Sequence, residues 1–201
     1  MEEKKIIAPS AERVAKRAMV LSALVCRGFI EVESPADVEE LRASLLPWLD
    51  MLGAREEMEK DELIALTAPL GGLDAQAQIN LVWAVEGLAV LAWAMQRYEL
   101  HADDTLAEPQ SITNTMIFLH ESAKALVDEP TLRESKELQA MKEQCYTKQC
   151  QIKEFASNPI NVDKVGEKEF RITSSISRER MRASLWLLGS CELYSEVNIS
   201  I

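Results

Sequence analysis

The sequence predicts an all-α protein, or a mainly α protein with a small β-hairpin near residues 160–173. Apolar residues recur at helical spacing through most of the chain, whereas the alternation typical of strands is weak and confined to that region. Apolar residues make up 47% of the 201 residues, which suits one hydrophobic core. We therefore expect a single helical domain over residues 9–201, preceded by a frayed N-terminus over residues 1–8.

The first part of the chain carries start and stop signals for three helices. Ser10 suits the N-cap of a helix that runs to about Arg27. Ser34-Pro35 begins a second helix, which Gly53 ends. A short charged helix is expected over residues 55–66.

A long helix over residues 75–98 is predicted to be the central element of an orthogonal helical bundle, with Asp74 as its N-cap. Residues 79–95 read INLVWAVEGLAVLAWAM and are apolar in every direction, as in a helix buried on all sides. Glu86 lies within that run and needs a partner, because a buried carboxylate is costly unless it is paired, hydrogen-bonded or protonated. The candidate partners are arginines of the last and the first helix: Arg178, Arg180, Arg182, Arg17 and Arg27.

The second half of the chain predicts helices over residues 109–127 and 132–156, and a final helix over residues 177–188. The 132–156 helix has one narrow apolar stripe, so we expect it at the rim of the domain or across a dimer interface. Residues 160–173 alternate weakly and predict the hairpin. The tail, residues 192–201, is expected to be an edge strand or a packed extension.

The net charge of −11 argues against a nucleic-acid or anionic-membrane surface, because phosphate binding needs clustered Lys and Arg. The same charge suits a protein partner with a basic surface. The N-terminal sequence is not a signal peptide, and Glu86 interrupts the longest apolar run, so we expect a cytoplasmic protein with no membrane span. The four cysteines form no Cys-x-x-Cys pair and are expected to be reduced thiols.

Four segments together resemble one bacterial family. They are LSALVCRGFIE at residues 21–31, PLGGLD at 69–74, WAVEGLAVLAW at 83–93 and ERMRASLWLLG at 179–189. In this order they are similar to family 4272 of the domains of unknown function, and the Trp-x-x-Glu-Gly-Leu-Ala-Val-Leu pattern is the most specific of them. The resemblance implies a bacterial, mainly helical, single-domain protein, and it implies no activity.

Glu86 is the candidate catalytic residue, as a general acid or base whose pKa is raised by desolvation. A structural ion pair is the favoured interpretation, since no nucleophile, metal set or cofactor loop stands beside it in the sequence. The candidate binding residues are three arginines that could form an anion-binding patch, and one tryptophan that could form a ligand platform: Arg178, Arg180, Arg182 and Trp83.

No metal or cofactor is expected. His101, Asp103 and Asp104 form a loop cluster, and His120 lies on the next helix, but no spacing typical of metal ligands connects them. The glycine-rich phosphate loops and the Gly-x-Ser-x-Gly nucleophile motif do not occur.

Two functional hypotheses follow. The first is a non-enzymatic binding or regulatory protein of the bacterial cytoplasm, which can be a homodimer; an acidic inhibitor or immunity-type protein is a specific form of it. The second is a hydrolase-type enzyme that uses Glu86 as general acid or base and an arginine of the last helix to bind an anionic group. The surroundings of Glu86 discriminate them, because a dry ion pair favours the first and a solvent-connected pocket favours the second.

Overall fold

The structure is a computed structural model that describes residues 7–101 and 105–200. Every regular element in those ranges is helical, which confirms the all-α prediction. The elements are nine α-helices and short 3-10 turns at Arg55–Glu57 and Glu121–Ala123. The α-helices are α1 (Ala11–Ile30), α2 (Pro35–Leu52), α3 (Lys60–Thr67), α4 (Ala75–Ala94), α5 (Pro109–Thr115), α6 (Lys124–Asp128), α7 (Ser135–Ala156), α8 (Pro159–Val165) and α9 (Glu167–Leu187).

The helix α1 is buried over most of its length, and α4 is its main neighbour. The side chain of Ser10 accepts the N–H of Arg13 at 3.2 Å, so the predicted N-cap is confirmed. Gly28 lets the two helices approach, because a Cβ there would lie 2.9 Å from the Cβ of Leu81 and 3.0 Å from the backbone N of Val82. In α1, 14 of 20 residues are buried, compared with nine of 20 in α4.

The prediction of a central helix buried on every side is wrong for the first half of α4. Its buried residues begin at Val85, and Ile79 is 47% exposed. The helix also ends at Ala94, four residues before the predicted end. By length and composition α4 could cross a membrane, but a core helix meets the same criterion, and half of its most apolar window is buried within the protein. The orthogonal arrangement of the bundle stays a prediction.

The single helix predicted over residues 109–127 is interrupted. The helix α5 ends at Thr115, and Ile117 and Leu119 have left-handed φ angles of +55° and +58°. Such angles are rare for residues other than glycine, above all for a β-branched isoleucine. Tertiary packing therefore overrides the helical pattern here, and the chain re-enters a helix only at α6.

The β-hairpin predicted near residues 160–173 is wrong, because this region forms α8 and the beginning of α9. Asn158 starts α8, since its side chain accepts the N–H of Ile160 at 3.1 Å. Phe170 and Thr173 line one pocket together, three residues apart, as on one face of a helix. The final helix consequently begins ten residues before the predicted start.

The helix α7 packs on α8 and α9 and buries Leu138 and Cys145, which confirms a narrow apolar stripe. The stripe therefore packs within the chain, and a homodimer stays a prediction. The tail after α9 is a packed extension rather than an edge strand over its described residues, with Tyr194 and Val197 buried against the core.

Candidate functional site

Glu86 forms a buried ion pair with Arg180, which extends from α9. The side chains are 0% and 3% exposed, respectively. Arg180 Nε donates to Glu86 Oε2 at 2.9 Å, and the backbone N–H of Ala107 donates to Oε1 at 2.8 Å. Of the arginines that the sequence offers, Arg180 is therefore the partner. Both carboxylate oxygens are engaged in the interior of the protein, as in an ion pair rather than in a site open to solvent.

The same arginine fastens the loop that follows α4. Its guanidinium donates to the carbonyl of His101 at 3.2 Å and to the carbonyl of Thr105 at 2.7 Å. Together with the bond from Ala107 to Glu86, these contacts hold both ends of the loop against α4 and α9. Asp103 and Asp104 of the predicted loop cluster lie outside the described residues.

A second buried pair, Arg27 with Glu31, holds the connection between α3 and α4. Arg27 donates to the carbonyl of Pro69 at 3.0 Å, and Glu31 accepts the N–H of Leu73 at 2.7 Å. Burial by itself raises the pKa of Glu31, but the N–H of Leu73 and the guanidinium of Arg27 outweigh burial. The pKa of this carboxyl is therefore lowered below its usual value.

A third buried pair, Arg17 with Glu62, holds the segment before α3. The guanidinium contacts both oxygens of Glu62 and donates to the carbonyl of Glu57 at 2.9 Å. The three pairs have the same arrangement: a buried arginine of a core helix binds both a carboxylate and the backbone of an adjoining loop. Arginine suits this arrangement because its planar guanidinium has several N–H donors.

Gly87, the residue after Glu86, admits the side chain of Tyr194 from the tail. A Cβ at position 87 would overlap the hydroxyl oxygen of Tyr194 and lie 3.5 Å from ring carbon Cζ. The tyrosine ring packs edge-on against Trp186, with centroids 5.7 Å apart, and lies under the guanidinium of Arg17 at 4.8 Å. Its hydroxyl has no hydrogen-bond partner among the described residues, and burial raises its pKa. In this dipeptide, Glu86 thus forms the buried ion pair, and Gly87 leaves the space in which the tail packs against α4.

The structure separates the three candidate arginines of the last helix. Arg180 binds Glu86, whereas Arg178 and Arg182 both form ion pairs with Glu179. Arg178 also lines a cavity of about 400 Å³ at the junction of α7, α9 and the tail. Anion binding at this cavity stays a prediction. Trp83 is partly exposed on α4, one turn before Glu86, and its role as a ligand platform stays a prediction too.

The histidines have local structural contacts. His101 is exposed and packs edge-on against Tyr98, with ring centroids 5.7 Å apart. His120 accepts the N–H of Ser122 at 3.1 Å and so caps a 3-10 turn. In the described ranges no group of three or more His, Cys, Asp or Glu side chains is placed to share a metal ion. None of the four cysteines, all of which the structure describes, forms a disulfide.

Sequence reasoning missed an apolar groove at the C-terminal end of α1. It lies between α1, α2, α5 and the turn after α5, and its volume is about 590 Å³. Burial by the protein raises the pKa of the Cys26 thiol, which lines the groove, to about 11. The sequence held no signal for it, because the exposure of Phe29, 44%, follows only from how the helices pack. The main lining residues are Val25, Cys26, Phe29, Leu41, Pro109 and Phe118.

Sequence reasoning considered only the net charge of the chain and missed that the charge is unevenly distributed along it. Residues 31–134, which we call the acidic segment, hold 21 Asp and Glu but only six Lys and Arg. Residues 135–201 hold nine acidic and ten basic residues, so the last third of the chain is close to neutral. The negative charge is thus carried by the part of the fold from α2 to α6.

Residues 1–196 match the model of the family described as Domain of unknown function (DUF4272). The chain belongs to this family. Its membership confirms the resemblance drawn from the four segments, of which the most specific holds Glu86 and Gly87. In this DUF4272 chain that segment therefore carries the buried ion pair and the contact with Tyr194. Comparison with curated proteins and with solved structures finds no match.

Proposed function

We propose that this protein is a non-enzymatic binding protein whose acidic segment engages a partner protein with a basic surface. The uneven charge distribution carries the proposal, because a one-sided field speeds association with an oppositely charged partner and selects against others. A specific form is an inhibitor or immunity-type protein that masks the basic surface of its partner. Exposed carboxylates available for such contacts include Glu33, Glu40, Asp61, Glu121 and Glu129.

The surroundings of Glu86 support a binding protein over a hydrolase-type enzyme. In the alternative, Glu86 would exchange a proton with a substrate, and an arginine of α9 would bind an anionic group. A general acid or base must come within hydrogen-bond reach of its substrate. Glu86 has no exposed surface, and Arg180 and Ala107 engage its two oxygens. These features fit a stabilising ion pair.

The proposal includes a cytoplasmic location and allows a homodimer; it includes no nucleic-acid or membrane partner. Native mass spectrometry of the protein as purified tests part of it. We expect the mass of the bare monomer or dimer. A stoichiometric extra mass would instead favour an enzyme or a ligand sensor and would identify its ligand.

The decisive test is capture of a partner by the immobilised protein from an extract of its own cells, at low and high salt. Three forms are compared: the wild type, an acidic-segment variant and a control variant with the same change in net charge. The acidic-segment variant carries Glu33→Gln, Glu40→Gln and Glu129→Gln. The control variant carries Glu143→Gln, Glu154→Gln and Glu169→Gln, all at exposed positions outside the acidic segment.

We expect the wild type and the control variant to retain a basic protein at low salt and to release it at high salt, because salt screens exposed charges. The acidic-segment variant should retain less of it. The proposal fails if no protein is retained, or if the two variants retain the same protein equally well.

A further inference from the structure

We infer that the apolar groove at the end of α1 receives the apolar face of an amphipathic, basic helix of the partner protein. This inference rests on the proposed function and adds to it a docking surface and a kind of partner segment. Helix-in-groove binding combines an apolar groove with side chains that recur every three or four residues on the incoming helix.

The groove is open to solvent and mainly apolar, with Glu108, Gln110 and Thr113 as its polar lining residues. Val25 and Ile30 of α1 form part of its floor and are buried, whereas Phe29 at its edge is 44% exposed. Its volume of about 590 Å³ exceeds the 400 Å³ of the cavity beside Arg178. Exposed apolar surface of this kind marks a binding site more often than scattered single side chains do.

The charge around the groove determines which helix fits. Glu108 is the one charged group among its lining residues, all of which the structure describes. Glu33 and Glu40 are exposed and lie close in sequence to the lining residues Ile30 and Leu41. The nearby cation Arg42 is held by Glu39 at 3.0 Å. The acidic segment supplies seven of the 11 lining residues, including Glu108, so an apolar stripe bordered by Lys or Arg complements the charge of this region.

One wall of the groove is held in an unusual backbone conformation. Ile117 and Leu119, with left-handed φ angles of +55° and +58°, flank Phe118 in the turn after α5. Phe118 lines the groove and packs edge-on against Trp48, with centroids 5.1 Å apart. Non-glycine residues in such conformations persist only where their surroundings hold them, and they cluster at binding sites. The strained turn thus fixes an aromatic wall in place before any occupant arrives.

The test uses three synthetic peptides of about 18 residues. The first is an amphipathic helix with leucine on one face and lysine on the other, and the second is its scrambled isomer. The third has glutamate in place of every lysine. Binding to the full-length protein is measured by titration, and the site is located from amide chemical-shift changes. We expect the first peptide to bind most tightly, with shift changes at the groove.

Two matched variants distinguish binding of the peptide in the groove from its non-specific electrostatic attraction to the protein. Phe29→Glu changes the groove edge, and Ile64→Glu changes α3 at a position that is also exposed, 56% compared with 44% for Phe29. Both add the same negative charge, which by itself would strengthen attraction of a basic peptide. We expect Phe29→Glu to weaken binding by about tenfold or more, as for the loss of an interface anchor, and Ile64→Glu to leave it nearly unchanged. Unchanged circular dichroism and melting confirm that both variants are folded.

The inference is overturned by equal binding to the two variants, by equal binding of the scrambled or glutamate peptide, or by no binding. It is also overturned if the protein self-associates through the groove, seen as a dimer that Phe29→Glu dissociates in ultracentrifugation. Retention of a partner can depend on the acidic segment and still be equal for Phe29→Glu and Ile64→Glu. That result overturns the groove as the docking site and leaves the proposed function standing. Capture of no partner overturns the proposed function, and the groove inference with it.

Discussion

At the scale of single residues, the buried arginines Arg17, Arg27 and Arg180 hold the loops of this protein against its helices. Each guanidinium binds a carboxylate and at least one backbone carbonyl. Removal of one partner from such a pair is costly, because it leaves the other charge buried without full compensation. The pairs are therefore the positions at which a conservative substitution has the largest expected effect on stability.

Glu86→Gln should lower the free energy of unfolding by about 3 kcal/mol, because it removes the negative charge that Arg180 Nε contacts at 2.9 Å in the protein interior. The control is Glu99→Gln, at a carboxylate that is 93% exposed, which should change stability by less than about 0.5 kcal/mol. Urea unfolding at neutral pH measures both. Equal stability of the two variants would show that the ion pair does not stabilise the fold.

Gly87→Ala should destabilise the protein by about 1–3 kcal/mol, because the new methyl group overlaps the Tyr194 hydroxyl. In a Tyr194→Phe background the same substitution should be neutral or slightly stabilising, since alanine favours a helix more than glycine does by about 1 kcal/mol. Tyr194→Phe alone should cost little, because its hydroxyl has no partner among the described residues. A double-mutant cycle by thermal or urea unfolding measures the coupling.

A cost for Gly87→Ala that is the same in both backgrounds would contradict this contact. In that case the destabilisation by Gly87→Ala would arise from a contact other than the one with the tyrosine hydroxyl.

Glu31 should make the stability of the fold depend on pH. Its pKa is lowered in the folded state from a usual value of 4.5, so it stabilises the fold above pH 4.5 and stops doing so as pH falls through the folded value. Glu31→Gln should therefore be less stable than the wild type at pH 7, and the difference should shrink below pH 4.5. Urea midpoints between pH 7 and pH 3 measure it; a difference that does not change with pH would contradict the assignment.

At the scale of secondary structure, helix starts could be predicted where a capping residue marks them. Ser10 and Asp74 both cap the predicted helices through their side chains. The predictions failed where the chain departs from helix without glycine or proline, as at Ile117 and Leu119, because packing holds those angles. The prediction of the hairpin was wrong because the period of apolar residues alone does not distinguish a short, weakly alternating strand from a short helix.

The ion pair could be predicted from the sequence only in part. A carboxylate in an apolar run requires a partner, and Arg180 was one of several candidates. The choice between them depends on contacts between residues 94 positions apart, which no local pattern encodes. The groove and the contact of Tyr194 with Gly87 depend on long-range packing in the same way.

The junction of α7, α8 and α9 should open as a local unit. Phe155 and Phe170 stack there, with ring centroids 6.1 Å apart, beside a cavity of about 220 Å³. Phe155→Ala should speed amide exchange by about tenfold or more in α8 and the first half of α9, and leave exchange in α1 and α4 unchanged. Tyr146→Ala, at an exposed position on α7, is the control. Faster exchange throughout the protein would show that the junction is part of the global folding unit.

At the scale of the whole molecule, the charge, the groove and the buried pairs have separate consequences. The buried pairs stabilise the arrangement of helices and loops. The acidic segment carries most of the negative charge of the chain, and the groove lies at the end of α1, where that segment begins. A surface that combines negative charge with an apolar groove is suited to a basic protein partner.

The most direct test of the proposed function is the association rate of the captured partner with the wild type, the acidic-segment variant and the control variant. Surface plasmon resonance at about 0.05 M salt measures it, where screening is weak. We expect association to slow several-fold for the acidic-segment variant and to remain near the wild-type rate for the control variant, with the difference lost at about 1 M salt. Equal rates for the two variants at low salt would contradict a partner that is recognised through the acidic segment.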